Sequence, residues 1–290
     1  MEGICAEGIT SRTISKAKML AKTYNINNVY ENIENLINNC PLDGLLILVS
    51  ADQIYDVTKK LISTQIPLFI EKPPGLIPEQ TAMLVKLANK YSTKNMVGYN
   101  RRYYSIFHKG IKIITDHGQL LGVTVEGHER FWKITNRAKS RNITDNWLYA
   151  NSTHTIDLLR FFGGEINNLN SFKKSIKEKN GDQFVASMEF NSGTLGTYIS
   201  HWHSPGGWSV TLYGEGVTVK FNPLEKAVWI DRDFNENEIL QNESDINYKP
   251  GLFSQMEAFI NMVKKNKLVW PGLDLSEALK TMELAQKISE

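Results

Sequence analysis

Cysteine is nearly absent. Cys5 and Cys40 are the only two in 290 residues, too few for a disulfide framework, so a reducing cytoplasm is the expected setting. Long apolar runs are absent as well, and no stretch is long enough to span a bilayer. The first residues lack the charged-then-apolar pattern of a secretory signal. Without secretion, Asn142-Ile143-Thr144 and Asn151-Ser152-Thr153 carry no weight as glycosylation sites. Charge of one sign is missing too: the net is +2, from 33 Lys and Arg against 31 Asp and Glu scattered along the chain. That argues against a nucleic-acid binder, which needs a clustered basic face. No internal repeat or low-complexity segment stands out. What remains is an ordinary soluble globular composition, 41% apolar and 22% charged, in a chain long enough for two domains with a core each.

Residues 1–100 alternate strand and helix patterns. The opening MEGICAEGITSRTISKAKMLAKTYNI has a mixed apolar stretch from Ile4 to Thr10, then Ser11-Arg12, then Ile14, Ala17, Ala21 and Tyr24 at helical spacing. LDGLLILVS (42–50) is a continuous apolar run, the pattern of a strand buried on both faces. QIYDVTKKLIS puts Ile54, Val57, Leu61 and Ile62 on one helical stripe. IPLFIEKP (66–73) is the next strand, stopped by Pro73-Pro74. Pro78 opens a further helix with Met83, Leu84, Leu87 and Tyr91 inward, and NMVGYN (95–100) is another strand. Strands separated by helices of this length predict a parallel sheet wound with helices on both faces.

Residues 101–290 follow a different pattern, predicting an α+β domain with a mostly antiparallel sheet. A helix from about 105 to 116 stops near Gly118. GVTVEGHERFW (122–132) is a long alternating strand. DQFVASMEF and TLGTYISHWH form a hairpin around Asn191-Ser192-Gly193, and WSVTLYGEGVTVKF folds back at Gly214-Glu215-Gly216. A helix at about 152–162 stops at Gly163-Gly164, and two more occupy 252–265 and 274–288.

Three stretches carry chemistry. FIEKPPGL sets a carboxylate beside an ammonium at the carboxyl end of a parallel strand, the edge where open α/β sheets bind ligands. On its own the pair also fits a helix-start cap and a solvated lysine. MVGYNRRY (96–103) brings polar groups to the same sheet edge. ANSTHTIDLLRFFGGE (150–165) lets Asn151 or Ser152 cap a helix with His154 in its first turn and Asp157 on the same face. The positive end of the helix dipole disfavours imidazolium, which keeps His154 neutral and able to accept a proton near neutral pH. A histidine that merely packs is the alternative. In HWH (201–203) two histidines share a strand face without a third ligand, so no metal is assigned, and Trp202 and Trp208 are expected to fill the sheet.

Together, in this order and spacing, these stretches resemble the Gfo/Idh/MocA oxidoreductases, which include glucose-fructose oxidoreductase and inositol dehydrogenase. LVSADQIY (48–55) is similar to the family's turn after its fourth strand, FIEKPPG to its Glu-Lys-Pro signature, and VGYNRRY to the segment leaving the nucleotide domain. STHTID is similar to its Gly-x-His-x-x-Asp helix, and FSQMEAFINMV and DLSEALKTMELAQKI to its C-terminal helices. The resemblance implies a nicotinamide-binding Rossmann domain over residues 1–100 and a substrate-binding and oligomerisation domain over 101–290. It implies transfer of a hydride to or from a hydroxyl or keto carbon of a sugar, cyclitol or derivative. Lys72 and His154 would be catalytic, one stabilising an alkoxide and the other moving the proton. Asp157 would orient the histidine or act structurally. Glu71, Lys72 and Asn100 would lie on the cofactor side with Ser50, Ala51 and Tyr55. Arg101, Arg102, Trp147, Tyr149 and Asn151 would border the substrate alongside Lys72 and His154. A homo-oligomer, dimer or tetramer, is implied by relatives, with no nucleic-acid or membrane partner.

The departures are informative. Where many members have an Asp four residues before the histidine, this chain has Ala150; the motif's Gly is Ser152, and the common Pro and His of the post-strand turn are Ala51 and Tyr55. Asn151 is then expected to position rather than transfer a proton. An acid after the second strand would hold the 2′-hydroxyl of NAD. Here Ser11 and Arg12 stand there, which suits a 2′-phosphate and tilts the expectation to NADP over NAD, the alternative being a solvent-facing arginine. No Gly-x-Gly-x-x-Gly precedes Ser11, although the fold implied would begin with one to cradle the pyrophosphate. The opening stretch therefore reads as the second strand of its domain. Either a first strand, loop and helix are missing from a truncated frame, which is the favoured expectation, or this is a short member that has become a non-catalytic sugar-binding or assembly subunit.

Overall fold

The computed structural model describes residues 3–134 and 140–290. The chain divides into two compact units, Met1–Leu45 and Leu46–Glu290. In the first, strand β1 (Gly8–Thr10) leads to helix α1 (Ile14–Tyr24), then β2 (Asn28–Tyr30) and α2 (Ile33–Asn39). β1 and β2 are parallel, with Ile9 opposite Val29. The strand expected from Ile4 is confined to its last three residues. α1 buries Ala17 and Ala21 but exposes Ile14 and Tyr24, so half of the expected stripe is not core. α2 starts at Asn32, whose side chain accepts a 2.7 Å hydrogen bond from the N–H of Asn35, the usual way to satisfy a first-turn amide.

The next elements are β3 (Leu45–Ile47), α3 (Ala51–Leu61), β4 (Leu68–Ile70), α4 (Pro78–Tyr91) and β5 (Asn95–Val97). β3, β4 and β5 form one sheet in that order, separate from the β1-β2 pair. β4 is central and all three of its residues are buried. The run 42–50 is not buried on both faces as its composition suggests: Ile47 is buried, but Leu46, Leu48 and Val49 are exposed. β3 is an edge strand of its sheet: among the described residues it has a strand neighbour on one side only. α3 buries Ile54 and Leu61, and Ile62 follows in a 3-10 turn with no accessible surface. α4 begins at Pro78, which suits a first turn whose N–H has no helical partner. It buries Leu84 but exposes Met83.

The rest of the chain is built on an eight-stranded sheet. It runs through α5 (Ser105–His117), β6 (Leu120–Gly127), α6 (Phe131–Ile134), α7 (Arg141–Asp145), α8 (Thr153–Gly163), β7 (Ile166–Lys174), β8 (Gln183–Phe190) and β9 (Leu195–His201). Then come β10 (Trp208–Gly214), β11 (Val217–Phe221), β12 (Ala227–Ile230), β13 (Glu236–Ile239), α9 (Glu243–Asn247), α10 (Leu252–Lys265) and α11 (Leu275–Ile288). The strand order is β13-β12-β11-β10-β6-β9-β8-β7. β6 and β9 are parallel, and the remaining neighbours are antiparallel. Both expected hairpins form, turning where Gly193 and Gly216 take φ of 83° and 70°, a region glycine enters without a Cβ clash. The strand expected over 122–132 ends at Gly127, and Phe131 already opens α6.

Alternation decides which sheet face is covered. Val123 and Val125 of β6, Phe184 and Ala186 of β8, and Val219 and Phe221 of β11 are buried beneath α5, α8 and α11 in one apolar core. Phe107 of α5 sits at its centre, edge-on to Phe221 at 4.7 Å. Gly110, one turn on, has no room for a side chain, because a Cβ there would stand 2.5 Å from the Phe221 ring. This packing holds α8 against β6, with Arg160 tied to α11 through Glu277 at 2.7 Å.

Candidate active site

β4 stops where Glu71 and Lys72 begin. The Glu71 N–H donates to the Ile47 carbonyl at 3.0 Å, carrying the sheet pattern one residue past the strand. A Cβ on Gly98 would come within 3.1 Å of a Glu71 carboxylate oxygen, so glycine in the VGYN stretch admits that side chain. Burial pushes the Glu71 carboxyl above the ordinary carboxylate range, while the charge and backbone N–H of Lys72 pull it back. The Lys72 ammonium donates to the Ala150 carbonyl at 2.9 Å. The two open onto a cleft of about 450 Å³ that Ser50, Ala51, Trp147 and Asn151 also line. Ser50 precedes α3 without capping it; its hydroxyl goes to Asp52 at 2.7 Å.

The segment after β5 is held by buried polar contacts. Asn100 is buried and donates to the Pro250 carbonyl at 3.1 Å. A Cβ on Gly251, at φ 76°, would collide with the Asn100 carbonyl, so a glycine is required there. Arg101 lies over the Trp208 ring at 4.5 Å. Arg102 makes a two-pronged pair with Asp157, at 2.6 and 2.7 Å, with both side chains nearly inaccessible. Thr281 donates to the same carboxylate at 2.9 Å. Asp157 thus shares a helix with His154, while both of its oxygens are taken by Arg102 and Thr281.

His154 is 7% exposed. Its ring is edge-on to Tyr99 at 6.0 Å and tilted on Trp208 at 5.9 Å. Its Nδ1 has no hydrogen-bond partner among the described residues. Burial, joined by the charges of Arg101, Lys72 and Lys249, holds it well below the usual imidazole value. Burial and neighbouring charge, rather than the helix dipole, are thus what disfavour its imidazolium. Neither Asn151 nor Ser152 caps α8; residues 148–152 form a π-helical turn that runs straight into it. His154 accordingly does not stand at a free helix start.

Ser50, Ala51, Glu71, Lys72, Trp147 and Asn151 come together on the cleft. Tyr55 lies a turn further along α3, under the Lys59 ammonium at 5.6 Å. Tyr149 is half-buried, and its carbonyl accepts from Thr153 at 2.9 Å. Ser11 and Arg12 belong to the first unit and are exposed, with the Ser11 hydroxyl accepting from the Thr13 N–H at 3.3 Å. Trp208, expected to fill the sheet, lies in β10 against the apolar core and also packs on Arg101 and His154. His201 stacks on His128 at 5.7 Å, and His203 meets Glu178 at 3.1 Å. Among the described residues no group of three His, Cys, Asp or Glu is placed to hold a metal.

Sequence reasoning missed Glu129. It is 4% exposed, just past β6, and its carboxylate receives the Asn151 amide at 3.0 and 3.1 Å and the Ser152 hydroxyl at 2.9 Å. The two residues expected to cap α8 are thus turned onto this carboxylate. Burial raises its pKa, opposed first by the Ser152 and Asn151 hydrogen bonds. The signal available was an acid directly after an alternating strand, in GHER, which is too common to single out.

These features define a protein with Rossmann-like parallel strands followed by a large, mostly antiparallel sheet, and a polar cleft at the carboxyl end of β4. A family model described as an oxidoreductase family with an NAD-binding Rossmann fold matches residues 4–99, and one for the GFO/IDH/MocA C-terminal domain matches residues 116–220. The chain belongs to the Gfo/Idh/MocA oxidoreductase family. It is 24% identical over 164 residues to an uncharacterized oxidoreductase, YrbE, of Bacillus subtilis, covering 54% of this chain and 46% of that one. The chain spans about half the length of the curated relatives it matches. Among solved structures of the same fold are UDP-N-acetylglucosamine 3-dehydrogenase GnnA from Acidithiobacillus ferrooxidans (15% identity, TM-score 0.77, covering 97% of this chain and 88% of that one) and a levoglucosan dehydrogenase in complex with NADH and levoglucosan (13%, 0.81, 98% and 87%).

Proposed function

We propose that this chain serves as an NAD(P)-dependent oxidoreductase on a hydroxylated carbohydrate, a sugar, cyclitol or derivative, with the nucleotide domain over 1–100 and the substrate domain over 101–290. The observation that carries the reading is the Lys72 ammonium, anchored on the Ala150 carbonyl and opening onto the cleft with Glu71 and Asn151. The residues present suit the nicotinamide end of the cofactor: a cleft at a strand's carboxyl end, lined by Ser50 and Ala51 at the start of α3 and by Glu71 and Lys72 after β4. Bound there, NAD(P) supplies the hydride acceptor or donor. Lys72 stabilises the developing alkoxide, and a positioned cation in a water-poor site is well suited to that. Neutral His154, with Nδ1 unpartnered, accepts the hydroxyl proton. Arg102 and Asp157 hold the wall that carries His154.

NADP is favoured over NAD on the Ser11-Arg12 pair. A cytoplasmic setting is favoured by two cysteines that form no disulfide, and no helix of the described residues is long and apolar enough to cross a membrane. Exposed apolar residues on the open sheet face support a homo-oligomer. A second reading, a non-catalytic sugar-binding or assembly subunit, draws on the lack of Gly-x-Gly-x-x-Gly anywhere in these residues. The test is NADH and NADPH titration by fluorescence, followed by NAD⁺- and NADP⁺-coupled oxidation of D-glucose, D-xylose and myo-inositol. Binding and turnover, with Lys72→Ala and His154→Ala lowering kcat far more than cofactor affinity, support the first reading. Sugar binding by calorimetry without reduced cofactor appearing supports the second.

A further inference from the structure

The orphan in this arrangement is Glu129, a buried carboxylate to which the proposed chemistry gives no part. Its position is held tightly. Just before it, the Ser200 hydroxyl donates to the Gly127 carbonyl at 2.6 Å, and the His201 N–H donates to His128 Nδ1 at 3.1 Å. Just after it, the Phe131 N–H donates to the Trp202 carbonyl at 3.1 Å. The end of β9 thus clamps the chain on both sides of Glu129, and its carboxylate meets the Asn151 amide with both oxygens.

A carboxylate only accepts, whereas an amide side chain donates from nitrogen and accepts at oxygen. Glu129 therefore decides which end of Asn151 is committed. Nδ2 faces the carboxylate, and Oδ1 has no partner among the described residues. Asn151 lines the cleft together with Lys72, so the atom left for a ligand there is an acceptor. We propose that Glu129 is a positioning residue that locks Asn151 as a hydrogen-bond acceptor in the cleft, selecting a ligand that presents a hydroxyl donor at that point. This deepens the proposed function and rests on it for the identity of the ligand, but the lock itself is a property of the protein alone.

The substitution Glu129→Gln keeps the shape and reverses one end. Its amide nitrogen would face that of Asn151, and relief comes by turning Asn151 over so that it shows a donor to the cleft. The exchange Glu129→Gln with Asn151→Asp restores donor to acceptor and returns an acceptor oxygen to the cleft.

The first measurement is on the full chain without ligand: the side-chain amide signals of Asn151 in a nitrogen-15 spectrum, identified by their loss in Asn151→Asp. Slow exchange with water, made fast by Glu129→Gln, is expected; fast exchange in the unsubstituted protein overturns the lock. The second uses whichever of D-glucose, D-xylose and myo-inositol is oxidised. Glu129→Gln is expected to raise KM about tenfold or more, the scale of one mismatched hydrogen bond, with kcat less affected. The double exchange should recover most of that loss, while a residue that only supports the fold would give no such KM-specific rescue. An unchanged KM overturns the selective role. If none of the three sugars is oxidised yet the Asn151 amide is protected and Glu129-dependent, the lock stands and the oxidoreductase reading falls.

Discussion

Two buried side chains illustrate how polar groups are kept far from water. Arg102 and Asp157 are 7% and 1% exposed, joined by two short bonds that align the guanidinium with the carboxylate. Such a pair gains little over an apolar replacement, but losing one partner strands a charge. Arg102→Met or Asp157→Leu alone should each lower unfolding stability by about 3–5 kcal/mol. The double substitution should cost clearly less than the two added together, because the stranded charge is gone. Urea denaturation of the three variants checks this, and simple additivity would mean the pair is not coupled. His154 makes a pH-dependent contribution. It is held well below its ordinary value of 6.5 by burial and by Arg101, Lys72 and Lys249. An unfolded chain returns it to that ordinary value and takes up a proton the folded chain refuses. Stability from this group is therefore complete above about pH 6.5 and falls as the pH drops toward the depressed value, by at most about 1.4 kcal/mol per pH unit. His154→Gln should flatten that part of the profile when urea midpoints are compared at about pH 5.5 and about pH 7.5. An unaltered slope would assign the titration to another group.

At the scale of elements, helix α5 lies on β11 with Gly110 against Phe221 and Val219. Alanine is the better helix former by about 1 kcal/mol, yet its methyl would press on a ring with no accessible surface. Overpacking a filled core costs about 1–3 kcal/mol, so Gly110→Ala should lower Tm rather than raise it; a gain would show that Phe221 has room to move. The same packing explains what was legible in the sequence. α4, α10 and α11 were readable because periodicity, the Pro78 start of α4 and Asp274, whose carboxylate accepts the Glu277 N–H at the start of α11, are local signals. The hairpins were readable from their glycine turns. LLILV misled because composition records apolarity but not that β3 lies at an edge of its sheet. The helical spacing of Ile14, Ala17, Ala21 and Tyr24 overstated the α1 stripe, because the helix buries its small alanines rather than Ile14 or Tyr24. At the site, Lys72 and His154 stood in recognisable stretches. The contacts of Glu129 with Asn151 and of Arg102 with Asp157 did not, because they join positions 22 and 55 residues apart. Long-range pairing leaves no periodic trace in one sequence.

At the scale of the whole molecule, the eight-stranded sheet has one face under α5, α8 and α11 and a second on which large apolar side chains stand exposed. On that second face Phe172 of β7 is 78% exposed, Val185 of β8 37%, Leu195 of β9 63% and Tyr213 of β10 44%. Phe172 stands opposite Val185 across β7 and β8. Leu195 and Tyr213 both stand opposite Gly122 of β6, and the Tyr213 ring leans over the glycine, 3.3 Å from where a Cβ would stand. Large apolar residues spaced over four strands of a single face are more than the scattered singletons any surface carries. A second copy of this chain is the occupant the proposed homo-oligomer supplies. Sedimentation velocity at micromolar protein should therefore give a species larger than one chain. Leu195→Glu combined with Tyr213→Glu should shift it toward the single chain, because each isologous contact then brings buried carboxylates together. Those substitutions lie on the exposed face, so the circular dichroism melt should move little. A chain that sediments as one copy before any substitution would remove the sheet face from consideration as an interface and leave its apolar residues to be explained by some other partner.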